Sequence, residues 1–384
     1  LGSYALYIFD KPNEMKFILY YSLILISASG FSQAGTDPEN IFIITTDGFR
    51  WQEVFSGADA SLISNSRFVE DSSLLKQLYW DSTAEGRRQK LMPFLWNTIA
   101  RQGQVYGNRL YQNKMNVANM YKISYPGYNE MLTGYPDPFF IPNVPIRNRN
   151  TNILEYLNAK KEYRGKVAAF SSWNIFSAIL NKKRNHLPGG CGYESLPDDG
   201  SVNNEMINET QDSQLEKKHT RYDLLTYLSA RNYIERNHPR VVLIGFGETD
   251  EFAHSGRYDM YLQQANNVDK MIAELWYYVQ TSPFYRNKTT FIITTDHGRG
   301  KNPGTWYKHG ILTSGSGETW FAVMGPGISA RGEIKNDEQI FQKQMASTIA
   351  MLLGEQFQTS KNKSEPITIP RTIDDHLAIA KDSR

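Results

Sequence analysis

One cysteine in 384 residues excludes an intrachain disulfide, and with it a small fold stapled by bridges. That residue, Cys191, lies in PGGCGY, which reads as a solvent-near turn without a second thiol to act with. Charge of one sign is lacking too. With 42 Lys and Arg against 40 Asp and Glu, the net +2 offers no basic surface for a nucleic-acid scaffold, so any preference for a small phosphorylated molecule must come from a local pocket. Long apolar runs are absent after residue 34, and no stable multi-span membrane domain is expected. What the chain has is material for a core: 40% hydrophobic residues and 13% aromatics.

The single long apolar run begins at Met15, as MKFILYYSLILISASGFSQAG, with Lys16 ahead of it and small residues around Ser32 to Ala34. This arrangement predicts a signal peptide over 15–34, with cleavage near Ala34, and an exported protein, periplasmic or secreted. Left uncleaved, the run would serve as an N-terminal membrane anchor. Residues 1–14 read as an upstream extension, and 35–384 as one catalytic domain.

Three apolar, β-rich runs end in an acid: NIFIITTDG at 40–48, PRVVLIGFGETD at 239–250 and TTFIITTDHG at 289–298. They lack polar alternation, which marks strands buried on both faces and therefore parallel. VAAFSSW at 167–173 and ETWFAVMGPG at 318–327 read as further strands. Helical periodicity is visible in RRQKLMPFLWNTIARQG, TNILEYLNAKKEY and HTRYDLLTYLSARNYIERN. It is clearest at 257–280, where Leu262, Ala265, Val268, Ile272, Leu275 and Val279 share a face and Asp269 falls between faces; residues 338–353 suggest one more helix before Gly354. Alternating strands and helices predict an α/β sandwich with ligand sites beyond the strands' carboxyl ends. The polar, turn-rich stretch 181–218 reads as an insertion or lid over that core.

Asp47, Asp250 and Asp296 would each cap a turn if taken alone. Converging on one rim they would repel one another and call for a cation. Histidines accompany them, in DEFAH (Asp250, His254), in the Asp296-His297 pair and in WYKHG (His309). Carboxylate oxygen with neutral imidazole nitrogen suits a borderline divalent ion such as zinc. Ser124, in KISYPGYNEMLTG, precedes a Tyr-Pro-Gly turn and is either a helix cap or a nucleophile.

The ordered fragments TTDGFR (45–50), SYPGYNEMLTG (124–134), TDEFAH (249–254), TTDHG (294–298) and KHG (308–310) resemble the alkaline phosphatase superfamily, most closely its type I phosphodiesterase and nucleotide pyrophosphatase branch. The resemblance implies a three-layer α/β/α sandwich around a mostly parallel sheet, with two divalent metal ions, most often Zn2+, held by six side chains. Carried over residue by residue, Asp250, His254 and His309 would hold one ion, and Asp47, Asp296 and His297 the other. Ser124 would be the nucleophile, passing through a phosphoryl-serine, on a small phosphorylated substrate such as a nucleotide or another phosphodiester. Gly127 and Lys308 would neighbour the substrate.

Two departures bear on specificity. The branch usually has Thr as nucleophile and a phosphate-contacting Asn three positions later, where this chain has Ser124 and Gly127. Ser keeps the nucleophilic oxygen; Gly127 shifts phosphate contacts to backbone N–H groups or to Arg50, Asn129, Lys301 or Lys308. A phosphomonoesterase of alkaline phosphatase type stays open. So does a sulfatase, although its C/S-x-P-x-R motif has Tyr128 in place of Arg. A noncatalytic phosphate- or glycan-binding protein would use Trp173, Trp306, Tyr307 and Trp320 as a binding surface.

Overall fold

The computed structural model describes residues 37–375 apart from 140–141, 218 and 374. The proposed signal peptide at 15–34 lies outside these residues.

The strands are β1 (Asn40–Thr46), β2 (Gln104–Tyr106), β3 (Asn113–Asn116), β4 (Val167–Ser171), β5 (Val241–Phe246), β6 (Thr289–Thr294), β7 (Glu318–Thr319), β8 (Phe321–Met324), β9 (Gly332–Glu333) and β10 (Glu338–Phe341). Seven of them form one sheet in the order β4-β5-β1-β6-β8-β2-β9, while β10, β3 and β7 form a small second sheet. Within the large sheet only β8 runs against its neighbours β6 and β2. The three acid-terminated runs are thus the adjacent parallel strands β5, β1 and β6, buried along their length. Their register is level: Thr45 pairs with both Gly245 and Thr294, so Asp47 leaves the sheet at the same height as the ends of both neighbours.

The principal helices are α1 (Trp51–Ser56), α2 (Ser124–Thr133), α3 (Ile153–Ala159), α4 (Val202–Asp212), α5 (Asp223–Asn237), α6 (Glu248–His254), α7 (Tyr258–Thr281) and α8 (Met345–Leu352). Side chains alternate across a strand, and here they alternate between two cores. Phe42 and Ile44 pack with the α7 residues Tyr261, Leu262, Ala265 and Val268 and with Ala230 and Ile234 of α5. Ile41 and Ile43 pack with Met131 and Leu132 of α2, Leu154 of α3 and Ile349 of α8. Helices on both faces of a mostly parallel sheet make the expected three-layer α/β/α sandwich.

Four local expectations change. Residues 338–353 are not one helix: Glu338–Phe341 pairs with β3, and helix begins only at Met345. The segment around Pro93 is broken, with a helix over Ala84–Leu91 and a π-helical turn over Leu95–Ile99, because proline cannot donate within a helix. Cys191 is buried rather than near solvent, and burial pushes its thiol up to about 11, which keeps it inert. The stretch from 181 carries α4, which docks on α5 through Asn232 Nδ2 donating to Asn204 Oδ1 at 2.8 Å.

Candidate active site and metal centre

The loop after β1 turns on Gly48, whose φ of +57° is open to glycine at little cost, and whose Cβ, if it had one, would lie 2.7 Å from Asp250 Oδ1. Its backbone binds the site together. The Gly48 N–H donates to Asp296 Oδ1 at 2.9 Å, and its carbonyl accepts from Arg299 Nε at 3.0 Å. Asp47 is further fixed by Thr249, whose hydroxyl donates to the Asp47 carbonyl at 2.7 Å.

Two clusters of donor atoms result. Asp47, Asp296 and His297 converge in one. His297 Nε2 lies 3.6 Å from Asp47 Oδ1 and 3.5 Å from Asp296 Oδ2, and Asp296 Oδ2 is buried without a hydrogen-bond partner. The opposite nitrogen, His297 Nδ1, is 2.9 Å from the Gly298 carbonyl, so it carries the proton and leaves the Nε2 lone pair free for a ligand. In the second cluster His254 Nε2 is 3.0 Å from Asp250 Oδ2 and 2.9 Å from His309 Nε2, and His309 Nε2 is 3.7 Å from Asp250 Oδ1. Asp250 and His309 also lie within reach of His297, so the clusters adjoin.

The electrostatics suit a cation site. Burial, and then the charge of Asp296, pushes the Asp47 carboxyl up to about 8; burial pushes Asp296 up to about 7. Burial holds His297 and His309 below the ordinary imidazole range, in the neutral form that binds metal, and partial burial moves the half-exposed His254 the same way. A buried carboxylate oxygen without a partner and two neutral imidazole nitrogens facing each other at 2.9 Å are what a divalent cation on each cluster would satisfy.

Ser124 is the first residue of α2 and lies against the Asp47 cluster. Its Oγ donates toward Asp47 Oδ1 at 3.4 Å and lies 3.2 Å from His297 Nε2. The N-cap of that helix is Ile123, and the Ser124 hydroxyl is turned to Asp47 and His297 instead. The first turn is largely committed: Tyr125 N–H donates to Asn143 Oδ1 at 2.9 Å, Pro126 has none, and Gly127 N–H donates to the Ile123 carbonyl at 3.0 Å.

A cavity of about 530 Å³ opens above Ser124, Asp47, Asp250 and His254, walled by Asn143, Trp173, Asn174 and Glu251. The substrate contacts expected from sequence lie elsewhere. Arg50 is buried on Glu53, with Nε to Oε2 at 2.8 Å, and donates to the Gly300 carbonyl at 3.0 Å. Gly127 packs against the Asp296 carbonyl rather than facing the cavity, and Lys308 is exposed, with Nζ 5.4 Å from the Tyr307 ring centroid. Asn129 donates to the Tyr135 carbonyl and Lys301 pairs with Glu318. Trp306 and Trp320 are core residues, so of the four aromatics considered for a binding surface only Trp173 lines the cavity.

Sequence reading missed Arg299 and Gln342. Arg299 is fully buried; it pairs with Asp250 Oδ1 and donates to the Gly48 and Tyr307 carbonyls. Gln342 Nε2 donates to the carbonyls of Asp296 at 2.8 Å and Gly127 at 3.2 Å, clamping α2 to the end of β6. Arg299 follows DHG directly, which was a local signal; Gln342 had none.

Residues 63–366 match the type I phosphodiesterase / nucleotide pyrophosphatase family. The chain belongs to that family. The matched span includes Ser124 and every proposed ligand except Asp47, which β1 brings in from outside it. No curated protein matches significantly in sequence. Among solved structures, the alkaline phosphatase PafA is 11% identical with a TM-score of 0.58, covering 87% of this chain and 99% of that one. A putative sulfatase from Bacteroides thetaiotaomicron is 12% identical with a TM-score of 0.56, covering 87% and 76%. The lipoteichoic acid synthase LtaP from Listeria monocytogenes is 12% identical with a TM-score of 0.54, covering 86% and 75%. At these identities the likeness is one of fold. Family membership makes the chain a hydrolase of the phosphodiesterase family, and the solved structures add an alkaline-phosphatase-like fold.

Proposed function

We propose that the chain is an exported, zinc-dependent phosphodiesterase that works through a phosphoryl-serine. The observation that carries this reading is Ser124 Oγ held within 3.2–3.4 Å of one donor cluster, with the second cluster adjoining it at the floor of a cavity. Two divalent ions, one on Asp47, Asp296 and His297 and one on Asp250, His254 and His309, would supply charge for the attacking and leaving oxygens.

The chain's own residues do the rest. Asp47 accepts the Ser124 hydroxyl hydrogen. Oγ then bonds to phosphorus as the ester's P–O bond breaks, and the leaving oxygen takes up a proton from water in the cavity to depart as the alcohol. Water cleaves the phosphoryl-serine, releasing a phosphomonoester and restoring the hydroxyl. A diester is favoured over a monoester because no Lys or Arg is among the residues lining the cavity, and a monoanionic diester asks for less compensating charge than a dianionic monoester. Export is supported by the Lys16-led apolar run.

The test is metal analysis with matched turnover of bis-p-nitrophenyl phosphate, p-nitrophenyl phosphate and p-nitrophenyl sulfate. Diester preference with two zinc equivalents is expected, and Ser124→Ala should cut turnover by roughly 10³-fold or more while keeping the metal. Undiminished turnover in that variant would remove the covalent role; preference for the sulfate would move the chain to the other ester class.

A further inference from the structure

A second cavity, of about 680 Å³, adjoins the first, and Pro145 and Asn174 line both. The two have opposite character. The first presents Asp47, Asp250 and Glu251; the second is lined by Arg147, Lys182, Lys183 and His186, with Glu194 as its one acid. Glu194 is already used: Lys182 Nζ donates to its Oε2 at 2.7 Å and to the Gly189 carbonyl at 3.0 Å, and Ser177 bonds the other oxygen. Arg147 and Lys183 are exposed and make no hydrogen bond or ion pair among the described residues. Nearby Arg184 is not free in this way, since Glu155 holds it. The annex therefore keeps two unopposed cations, with the His186 ring as a further donor at a left-handed corner of φ 51°.

From this we infer that the substrate is a phosphodiester whose alcohol carries a second phosphate, which reaches past Pro145 and Asn174 into the basic annex while the scissile phosphate sits over Ser124. The inference rests on the proposed diesterase reading. It also gives the stretch from 181 a task, because Lys182, Lys183, His186 and Glu194 all lie in it. A second phosphate would be repelled in the first cavity by Glu251, which accepts from the Thr220 hydroxyl at 2.7 Å but pairs with no cation among the described residues, and attracted in the second. Charge thus orients the ester end to end.

Two chromogenic p-nitrophenyl diesters test this, identical except that the alkyl alcohol ends in methyl or in phosphate, each made with a short and a long spacer. The phosphate-ended ester should show a kcat/KM roughly tenfold higher at low salt for the spacer that spans the shared wall, with the ratio falling as ionic strength rises. Arg147→Glu with Lys183→Glu should collapse the ratio toward one, mainly through KM. A wild-type ratio near one for both spacers, or a ratio unmoved by the charge reversal, overturns the inference. If neither ester turns over, the diesterase reading fails on its own account. Calorimetric binding of the phosphate-ended ester to Ser124→Ala, with and without the reversal, still decides the annex: equal binding would sink it.

Discussion

Gly127 decides how closely the nucleophile's helix approaches the sheet. A Cβ there would lie 2.5 Å from the Asp296 carbonyl oxygen, which belongs to the backbone and is also held by Gln342. The Asn usual in this branch thus has no room, and its absence is a matter of packing as much as of substrate contact. Gly127→Asn should destabilise by about 1–3 kcal/mol in denaturant melts and lower turnover by displacing Asp296 and His297. A gain in diester turnover would show that α2 has slack. Asp47, Asp296 and His297 were legible in sequence because they closely follow β1 and β6, where chain direction and register fix a side chain's place, whereas Asp250 and His254 lie on α6 and His309 in the loop beyond β6. Arg50 misled because it neighbours Asp47; its partner Glu53, three residues on in α1, was in plain view as a helical spacing. Apart from the Tyr307 carbonyl, Arg299 and Gln342 act through partners at 46 to 251 residues' remove, which no local pattern encodes.

At the scale of elements, the buried parallel strands and α7 were readable from periodicity, while β10 was not. Its four residues are strand only because β3 offers them a ladder. Asp269 of α7 teaches the same lesson in reverse: it was read as lying between faces, yet it is buried and accepts the N–H groups of Phe94 at 2.7 Å and Leu95 at 2.9 Å. It fastens α7 to the turn after Pro93. Burial pushes its carboxyl from the ordinary 3.8 up to about 7. The folded state therefore holds a proton that the unfolded chain gives up, so this contribution to stability is fully present below about 3.8 and is lost as pH rises through about 7. Asp269→Asn does not titrate. The stability advantage of wild type over Asp269→Asn in denaturant melts should shrink across that window, by an amount on the order of a few kcal/mol. An advantage constant in pH would mean that the two N–H groups keep the carboxylate ionised throughout.

For the molecule as a whole, the sheet order places three acid-terminated strands side by side, so folding itself concentrates Asp47, Asp250 and Asp296 on one rim. Arg299 offsets part of this charge through Asp250, but Asp47 and Asp296 remain crowded in a dry site. Their folded values, about 8 and about 7, are raised. Without metal, the stability tied to them is fully present below the ordinary 3.8 and is lost as pH climbs through about 7 to about 8. A bound cation removes that loss by pairing with the ionised carboxylates, and it must displace their protons to bind. Zinc added to chelator-treated protein should therefore raise the melting temperature more above this window than below it. At about 100 times the dissociation constant the gain should approach 2.7 kcal/mol per ion. Asp250→Ala and His309→Ala, which leave the Asp47 cluster intact, should halve the bound zinc yet keep the pH-dependent part of the gain. If the shift in melting temperature is the same on both sides of the window, the crowded carboxylates are not what the metal relieves.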